Sequence, residues 1–516
     1  MSRLTPASAV EFVDLRRPRS NFLFVEQRFK ASQPLRRIFS QARSGDCSTL
    51  LIEDVAPTGP VLDENDEIKS LFPDHKMAGL RRLTFWRKVV QTIEEVAALG
   101  DEDCFGYVLV KHDVCPTRKI DKWHVFEAAI SKYDHCHNYS PCAKPVTFLA
   151  GTKQFQVTAI LYCQQNGLNK ACAQVSLRSL CAPYLADFDL TYRKINDLAF
   201  AGVNPRTPWE GLRSFQIPKV LQGLGVPFFE FDYQPAIAAK MRETFPYQRI
   251  VYSGIEAGAG ALVAFTMSGP TAGVDGHMIP FFGHTFNEDS WVPNADAEYF
   301  NVGKAIRYIP SDLWLSSFIV HDDNFGSNLC IPKAYLRREL AQYVVALLPR
   351  GYEYNGLFAE VAASDYFYSM LAQIASGASA NVWINRLLTF ALTKRLILRL
   401  VPVTRDGYLK HLQDAEDWDQ KKEDSTTLTH LQSIKMSQMW MVELSVPDLF
   451  ATNKRKIGEI LLDATVTFTP KADFSAFKLA RLPGSFYFFD KLDGNGQPIF
   501  GTVKSNFISH TGLLVR

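Results

Sequence analysis

Residues 164–174 read Gln164-Gln165-Asn166-Gly167-Leu168-Asn169-Lys170-Ala171-Cys172-Ala173-Gln174, a polar turn that leads into a helical pattern. Leu177, Leu180, Cys181 and Tyr184 follow at the spacing of one helix face, so Cys172 falls at the start of a helix. Unpaired backbone N–H groups at a helix N-terminus, together with the helix dipole, stabilise a thiolate. The segment therefore predicts a cysteine positioned to act as a nucleophile.

Two later segments supply an imidazole and carboxylates. His277 opens an apolar, strand-like run, and another such run ends at Asp322-Asp323. An imidazole beside a thiol removes its proton, and a carboxylate behind the imidazole fixes its tautomer. Groups of this kind lie apart in sequence and meet only in the fold. We therefore predict that Cys172, His277 and Asp322 form a thiol-nucleophile site.

Each of these residues also has an ordinary structural interpretation. A free cysteine is most often a small core residue, and a lone histidine is most often a hydrogen-bonded core residue. His284, seven residues after His277, is the alternative histidine. Asp322 and Asp323 could simply cap a turn, which the following Asn324-Phe325-Gly326 favours. The order of the three groups supports a site more strongly than any one of them does.

The remaining segments of this region predict a mixed α+β domain. Strand-like patterns cover residues 154–162, 261–267, 277–282 and 316–321, and helical patterns cover 217–224 and 250–257. Upstream, residues 47–55 and 104–114 are typical of strands, whereas 79–99 is typical of a helix. Downstream, a helical pattern at 358–374 precedes strand-like segments at 439–446, 457–463 and 484–489.

The middle region resembles the papain-like cysteine peptidase superfamily, and within it the bacterial peptidases that cut double-glycine leader peptides. The matching elements are Gln165 and Cys172, Gly211-Leu212 to Leu224-Gly225, Ile255-Glu256-Ala257-Gly258, Ala261 to Phe265, Gly276-His277 and Val320-His321-Asp322. The resemblance covers roughly residues 150–330. It implies that Cys172 is the nucleophile, His277 the general base and then acid, Asp322 the orienting group and Gln165 the oxyanion donor, with the Cys172 backbone N–H as second donor.

The chain departs from the family pattern at the glutamine. The family places that residue six positions before the cysteine, where this chain has Asn166, with Gln165 and Gln164 one and two positions further away. Ala173 also replaces the usual glycine after the nucleophile. The change at Ala173 is the milder one, and the displaced glutamine fits a catalytically inactive relative as well as an enzyme.

The strand of the histidine and the segment after it depart as well. Pro280 interrupts this strand, which indicates a strand edge or a bulge. Because 45 residues separate His277 from Asp322, there is room for an insertion at residues 287–313. Asp323 or Asp289 could then orient the histidine in place of Asp322.

The length and composition of the chain indicate how many domains it has and in which compartment it functions. A chain of 516 residues predicts two to four domains. We assign an N-terminal α/β domain to residues 1–150. Residues 151–345 are assigned to the papain-like α+β domain, which is a helix bundle packed on an antiparallel sheet. Residues 346–516 are assigned to a domain that is first helical and then β-rich. Nine cysteines without a signal-peptide pattern indicate reduced thiols and a soluble, cytoplasmic protein.

The same properties disfavour several classes of function. The formal net charge of +2 gives no reason to expect a nucleic-acid partner, and the basic residues of the first 43 positions are typical of a solvated terminus. The apolar stretch 382–403 carries Arg386, Lys394, Arg395 and Arg399, so no membrane span is expected. His135-Cys136-His137 with Cys142 fits no common zinc spacing, and neither a metal nor a cofactor is expected.

The sequence thus predicts a thiol-dependent hydrolase that cleaves a peptide or isopeptide bond through a thioester on Cys172. Its partner would be a peptide or protein substrate, and the flanking domains could bind a further protein. Two alternatives remain open: an inactive papain-like scaffold or binding protein, and an acyltransferase or transglutaminase-like enzyme that uses the same residues.

Overall fold

The structure is a computed structural model. It describes residues 10–16, 20–131, 138–169, 171–185, 190–201, 211–267, 275–285, 307–377, 381–414, 423, 425–433, 437–450, 454–467, 474–507 and 512–513. The fold is mixed α+β, with several antiparallel sheets.

The N-terminal region is a twisted antiparallel sheet covered by helices. Its strands are β1 (Val10–Asp14), β2 (Thr49–Asp54), β3 (Lys76–Trp86), β4 (Cys104–Cys115), β5 (Ile120–Ile130), β6 (Asn138–Tyr139), β7 (Lys144–Ala150), β8 (Lys153–Ala159) and β9 (Leu161–Tyr162), and its helices are α1 (Ser20–Arg28), α2 (Gln33–Ser44), α3 (Gly59–Leu71) and α4 (Ile93–Ala97). The sheet order is β1-β2-β3-β4-β5-β9, and all of these pairs are antiparallel. The region is therefore α+β and not the α/β domain that the sequence predicts.

The helix predicted at residues 79–99 is wrong for its first half. That part forms β3, and only α4 is helical. Leu83 and Phe85 pack on one face of the sheet, and Trp86 packs in a different hydrophobic cluster on the other face. Residues 83–86 are all buried, so the end of this strand shows no alternation of buried and exposed residues that would separate it from a buried helix.

The hairpin β7–β8 also belongs to the N-terminal core. Val146, Phe148 and Phe155 pack in the same hydrophobic cluster as Trp86. The hairpin turns at Gly151, which has a φ of +58°. A domain boundary at residue 150 would cut this hairpin in two, and the N-terminal sheet continues to β9.

The middle region packs helices on a second antiparallel sheet. The helices are α5 (Cys172–Cys181), α6 (Tyr192–Ala199), α7 (Gln216–Gly223), α8 (Ala236–Ala239) and α9 (Tyr247–Glu256), and the strands are β10 (Phe228–Asp232), β11 (Ala261–Met267), β12 (Asp275–Thr285), β13 (Ile309–Pro310), β14 (Ser317–Asp322), β15 (Gly326–Pro332) and β16 (Ala341–Leu347). The sheet order is β10-β16-β11-β12-β14-β15, with β6 paired to β12. Helix α5 packs directly on β12, which brings the start of the helix to the strand that carries His277.

The C-terminal region begins with helices and continues as a third sheet. Its helices are α10 (Gly356–Gly377), α11 (Val382–Leu392), α12 (Arg405–Asp414), α13 (Ser425–Ser433) and α14 (Pro447–Phe450), and its strands are β17 (Ile397–Thr404), β18 (Gln438–Ser445), β19 (Arg455–Lys456), β20 (Gly458–Asp463), β21 (Phe477–Leu482), β22 (Ser485–Leu492), β23 (Pro498–Lys504) and β24 (Gly512–Leu513). The sheet order is β13-β17-β18-β20-β21-β22-β23.

A single hydrophobic cluster contains residues from all three regions, among them Phe126, Leu180 and Leu444. The short strands β6 and β13 also pair with strands of another region, β6 with β12 and β13 with β17. The three regions therefore share a continuous core. Within the described ranges, no helix is long and apolar enough to cross a bilayer.

Candidate active site

Cys172 is the first residue of α5 and lies beside β12. Its thiol is partly exposed, and Sγ donates to the carbonyl oxygen of Gly276 at 3.9 Å. One turn later, the buried hydroxyl of Ser176 donates to the carbonyl oxygen of Met278 at 2.8 Å. These two contacts flank His277 on the strand, so the helix is fixed to β12 at the level where the thiol faces the imidazole.

His277 is held by two carboxylates. Its Nε2 lies 3.2 Å from Oδ2 of Asp322 and 3.4 Å from Oδ1 of Asp323. The Cys172 side chain is among the groups that raise the pKa of this imidazole. Because Nε2 is directed at the carboxylates, Nδ1 is the ring nitrogen that is left to exchange a proton with the thiol.

Asp322 performs two structural tasks with its two oxygens. Oδ2 binds His277, while Oδ1 accepts the backbone N–H groups of Asn324 at 2.8 Å and Phe325 at 3.0 Å. Asp322 therefore caps the turn with one oxygen and contacts the histidine with the other. A carboxylate that is fixed by backbone donors is a rigid partner for the ring.

The electrostatics of the group favour an imidazolium. Burial lowers the pKa of His277, but the hydrogen bond to Asp322, the contact with Cys172 and the charge of Asp323 outweigh burial and raise this pKa to about 10. Burial raises the pKa of Asp322, yet His277 and the two backbone donors hold it below its ordinary value. Burial raises the pKa of Asp323 to about 6, against the attraction of His277.

Of the three polar residues before the helix, Gln165 lies at the site. Its Oε1 accepts the backbone N–H of Ala171 at 3.4 Å, and its amide is close enough to Asp323 to lower the pKa of that carboxyl. Gln164 is instead used by Val125, whose N–H it accepts at 3.0 Å. Asn166 is buried and caps the turn, accepting the N–H of Leu168 at 2.7 Å. Of the three residues, Gln165 is therefore the one that lies next to a member of the His277 group, Asp323.

The N-terminal region fixes the turn that follows Asp322. The hydroxyl of Tyr162 donates to the carbonyl oxygen of Asp322 at 3.3 Å. On the other side of the turn, the Arg37 guanidinium donates to the carbonyl oxygens of Ser327 at 2.6 Å and Asn328 at 2.7 Å. The candidate site therefore lies at the junction of the N-terminal and middle regions.

The other candidates lie elsewhere or outside the described residues. His284 binds Glu256, with Nε2 2.7 Å from Oε1. Pro280 is not on an edge strand, because β12 lies between β11 and β14, but the pairing of β12 with β14 shifts register just after it. Asp289, His135–His137 and most of the predicted insertion at 287–313 fall outside the residues that the structure describes.

Sequence reasoning missed the ionic support behind β12. Glu256 on α9 binds His284 through one oxygen and Arg399 through the other, at 2.8 Å, and Arg399 binds Glu443 at 2.9 Å. These side chains are fully buried or nearly so. The signal in the sequence was a charged Arg399 inside an apolar strand pattern, since a buried charge requires a partner. Its partners are not readable from spacing, because they come from other regions of the chain.

The arrangement can activate a thiol and transfer its proton. It also places one possible metal ligand atom from each of His277, Asp322 and Asp323 within 4.8 Å of one another. Comparisons with protein-family models, curated proteins and solved structures find no match to this chain. The assignment of a function therefore depends on the geometry of these residues.

Proposed function

We propose that the protein is a thiol-dependent hydrolase of papain-like architecture, which cleaves a peptide or isopeptide bond through an acyl thioester on Cys172. The observation that carries the proposal is the His277 ring, which is bonded to Asp322 through one nitrogen and faces a thiol at a helix N-terminus. A structural cysteine and a structural histidine have no need of this order of contacts.

The mechanism follows from the contacts. His277 takes the Cys172 proton on Nδ1, and the resulting thiolate–imidazolium pair is stabilised by Asp322. The thiolate attacks the substrate carbonyl carbon, and the oxyanion accepts hydrogen bonds from the Cys172 backbone N–H and the Gln165 amide. The imidazolium then gives its proton to the leaving nitrogen, the C–N bond breaks, and a thioester remains. Water, deprotonated by His277, attacks the thioester and releases the acid and the thiol.

Thiol alkylation tests the proposal, and the chain offers a matched control. Cys330 on β15 is a free cysteine that is more exposed than Cys172. We expect iodoacetamide at neutral pH to modify Cys172 faster than Cys330, because an imidazolium stabilises the reactive thiolate. His277→Ala should abolish the advantage of Cys172 and leave the rate of Cys330 unchanged.

Peptide mapping by mass spectrometry gives both rates in one sample. If Cys172 reacts no faster than Cys330, or keeps its advantage in His277→Ala, the hydrolase proposal fails. A papain-like scaffold without catalysis would then be the better interpretation. Hydrolysis of peptide libraries by the wild type and by Cys172→Ser would identify the bond that is cut.

A further inference from the structure

The group around His277 holds more negative than positive charge in a small buried volume. The side chains of His277, Asp322 and Asp323 are 11, 8 and 4% exposed. With the imidazole protonated, two carboxylates face one cation. Burying a surplus charge is costly unless a cation neutralises it.

Asp323 is the member of this group whose bonding is incomplete. Its Oδ1 accepts a hydrogen bond from the Asn324 side chain at 3.1 Å and lies 3.4 Å from Nε2 of His277. Its Oδ2 is buried and accepts no hydrogen bond within the described part of the chain. A buried carboxylate oxygen without a donor has a lone pair available for a cation.

The spacing of the ligand atoms fits one metal ion. Tetrahedral coordination with bonds of about 2.0–2.1 Å separates two ligand atoms by roughly 3.3 Å. Nε2 of His277 lies 3.2 Å from Oδ2 of Asp322 and 3.4 Å from Oδ1 of Asp323. One imidazole nitrogen and two carboxylate oxygens, with a fourth position for water, form a donor set that suits Zn²⁺.

We propose that His277, Asp322 and Asp323 bind one Zn²⁺ ion, and that this ion inhibits the thiol site. Binding displaces the proton on Nε2, so that one H⁺ is released and two carboxylates neutralise the cation. The ring is then a neutral imidazole with its proton on Nδ1, so it no longer supplies the positive charge that stabilises the Cys172 thiolate. The binding is independent of the proposed hydrolase activity, whereas its inhibitory effect rests on that function.

Calorimetric titration of the full-length, metal-free protein with ZnCl₂ tests the binding. We expect one ion per chain, and the same stoichiometry in Cys172→Ala, because the thiol lies on the Nδ1 side of the ring. Asp323→Asn should weaken Zn²⁺ binding by at least about 10-fold. Mutation of a residue that only hydrogen-bonds a metal ligand already lowers metal affinity by about 10–100-fold, and Asp323 is proposed to be a ligand itself. Cys330→Ser controls for zinc at the exposed thiol, and circular dichroism verifies that each variant is folded.

Three results would overturn the proposal: no binding to the wild type, unchanged affinity in Asp323→Asn, or binding that disappears with Cys330→Ser. The inhibition is tested separately by the alkylation rate of Cys172 with and without ZnCl₂. A slower rate in the wild type and no zinc effect in Asp323→Asn support it, and an unchanged rate in the wild type refutes it. Binding to Cys172→Ala would persist even if the hydrolase proposal failed, so the two failures are distinguishable.

Discussion

Arg399→Met should destabilise the protein strongly, because this residue joins two regions through buried charges. Arg399 lies on β17 of the C-terminal region, and its guanidinium binds Glu256 of the middle region at 2.8 Å and Glu443 at 2.9 Å. The side chains of all three residues are 0% exposed. Methionine fills a similar volume but provides no charge.

The magnitude follows from which charge is left without a partner. Glu443 keeps Lys456, at 3.1 Å, whereas Glu256 keeps His284 as its one remaining side-chain partner in the part of the chain that the structure describes. Removing one member of a buried ion pair typically costs about 3–5 kcal/mol. For a cooperative unit the size of one region, about 150–250 residues, that loss of free energy lowers the melting temperature by about 6–20 °C.

The penalty should depend on pH. In the wild type, burial raises the pKa of Glu256, but Arg399 and His284 outweigh burial and hold this pKa below its ordinary value. A lowered folded pKa stabilises the protein above the unfolded pKa, and this contribution is lost as the pH falls. Without Arg399, burial raises the folded pKa, and protonation at lower pH relieves the variant. The difference between the two proteins should therefore shrink from about pH 8 to about pH 5.

Thermal unfolding followed by circular dichroism measures the effect. Arg386→Met removes an arginine from an exposed pair with Asp448 and is the matched control, with an expected change below about 1 kcal/mol. The double variant Glu256→Gln/Arg399→Met should recover much of the loss, because no unpaired carboxylate remains. A melting temperature of Arg399→Met equal to that of the control, or a double variant no better than the single one, would refute the reasoning.

Three further outcomes are expected. Gln165→Ala should lower kcat by about 10²–10³-fold with little change in thiol alkylation, which forms no oxyanion; equal losses in both assays would argue against an oxyanion donor. Burial raises the pKa of Glu360 to about 7 despite Arg249 at 3.5 Å, so the wild type should lose stability as the pH rises from about 4.5 to 7. Glu360→Gln should flatten that part of the pH profile of urea unfolding. Gly260 has a φ of +83°, and an added Cβ would lie 2.8 Å from the carbonyl oxygen of Phe281, so Gly260→Ala should cost about 1–3 kcal/mol in the same assay.

Periodicity correctly predicted several elements of the middle region. The helix after Cys172 and the strands at 261–267 and 277–282 are present as α5, β11 and β12. These elements are buried nearly throughout, so burial of a single face does not explain why their patterns were recognised. Periodicity failed at β3, where Leu83 and Trp86 pack on opposite faces of the sheet. There the pattern contains no alternation, and only the pairing with β2 and β4 determines the strand.

The candidate site was more predictable than the fold around it. A thiol at a helix start, an imidazole and a carboxylate are recognisable because their chemistry restricts the residue types and their order. The resemblance indicated Gln165, but the partners that hold Gln164 and Asn166 elsewhere were not predictable, since they come from other parts of the chain. The Val125 N–H donates to the Gln164 side chain, and the Asn166 side chain donates to Glu64 at 3.0 Å.

The contacts around the site indicate why the flanking regions accompany it. Asp322 must stay directed at His277, and the turn that holds it is bonded to Tyr162 and is followed by a segment bonded to Arg37, both from the N-terminal region. The strand of His277 also carries His284, which binds a carboxylate neutralised by an arginine of the C-terminal region. A fragment limited to residues 151–345 would therefore lose the Arg37 contact with the segment after Asp322, and it would leave Glu256 without its arginine partner. A loss of the proposed activity in that fragment would report these contacts, and the 516-residue chain is the form in which the chemistry of the thiol can be judged.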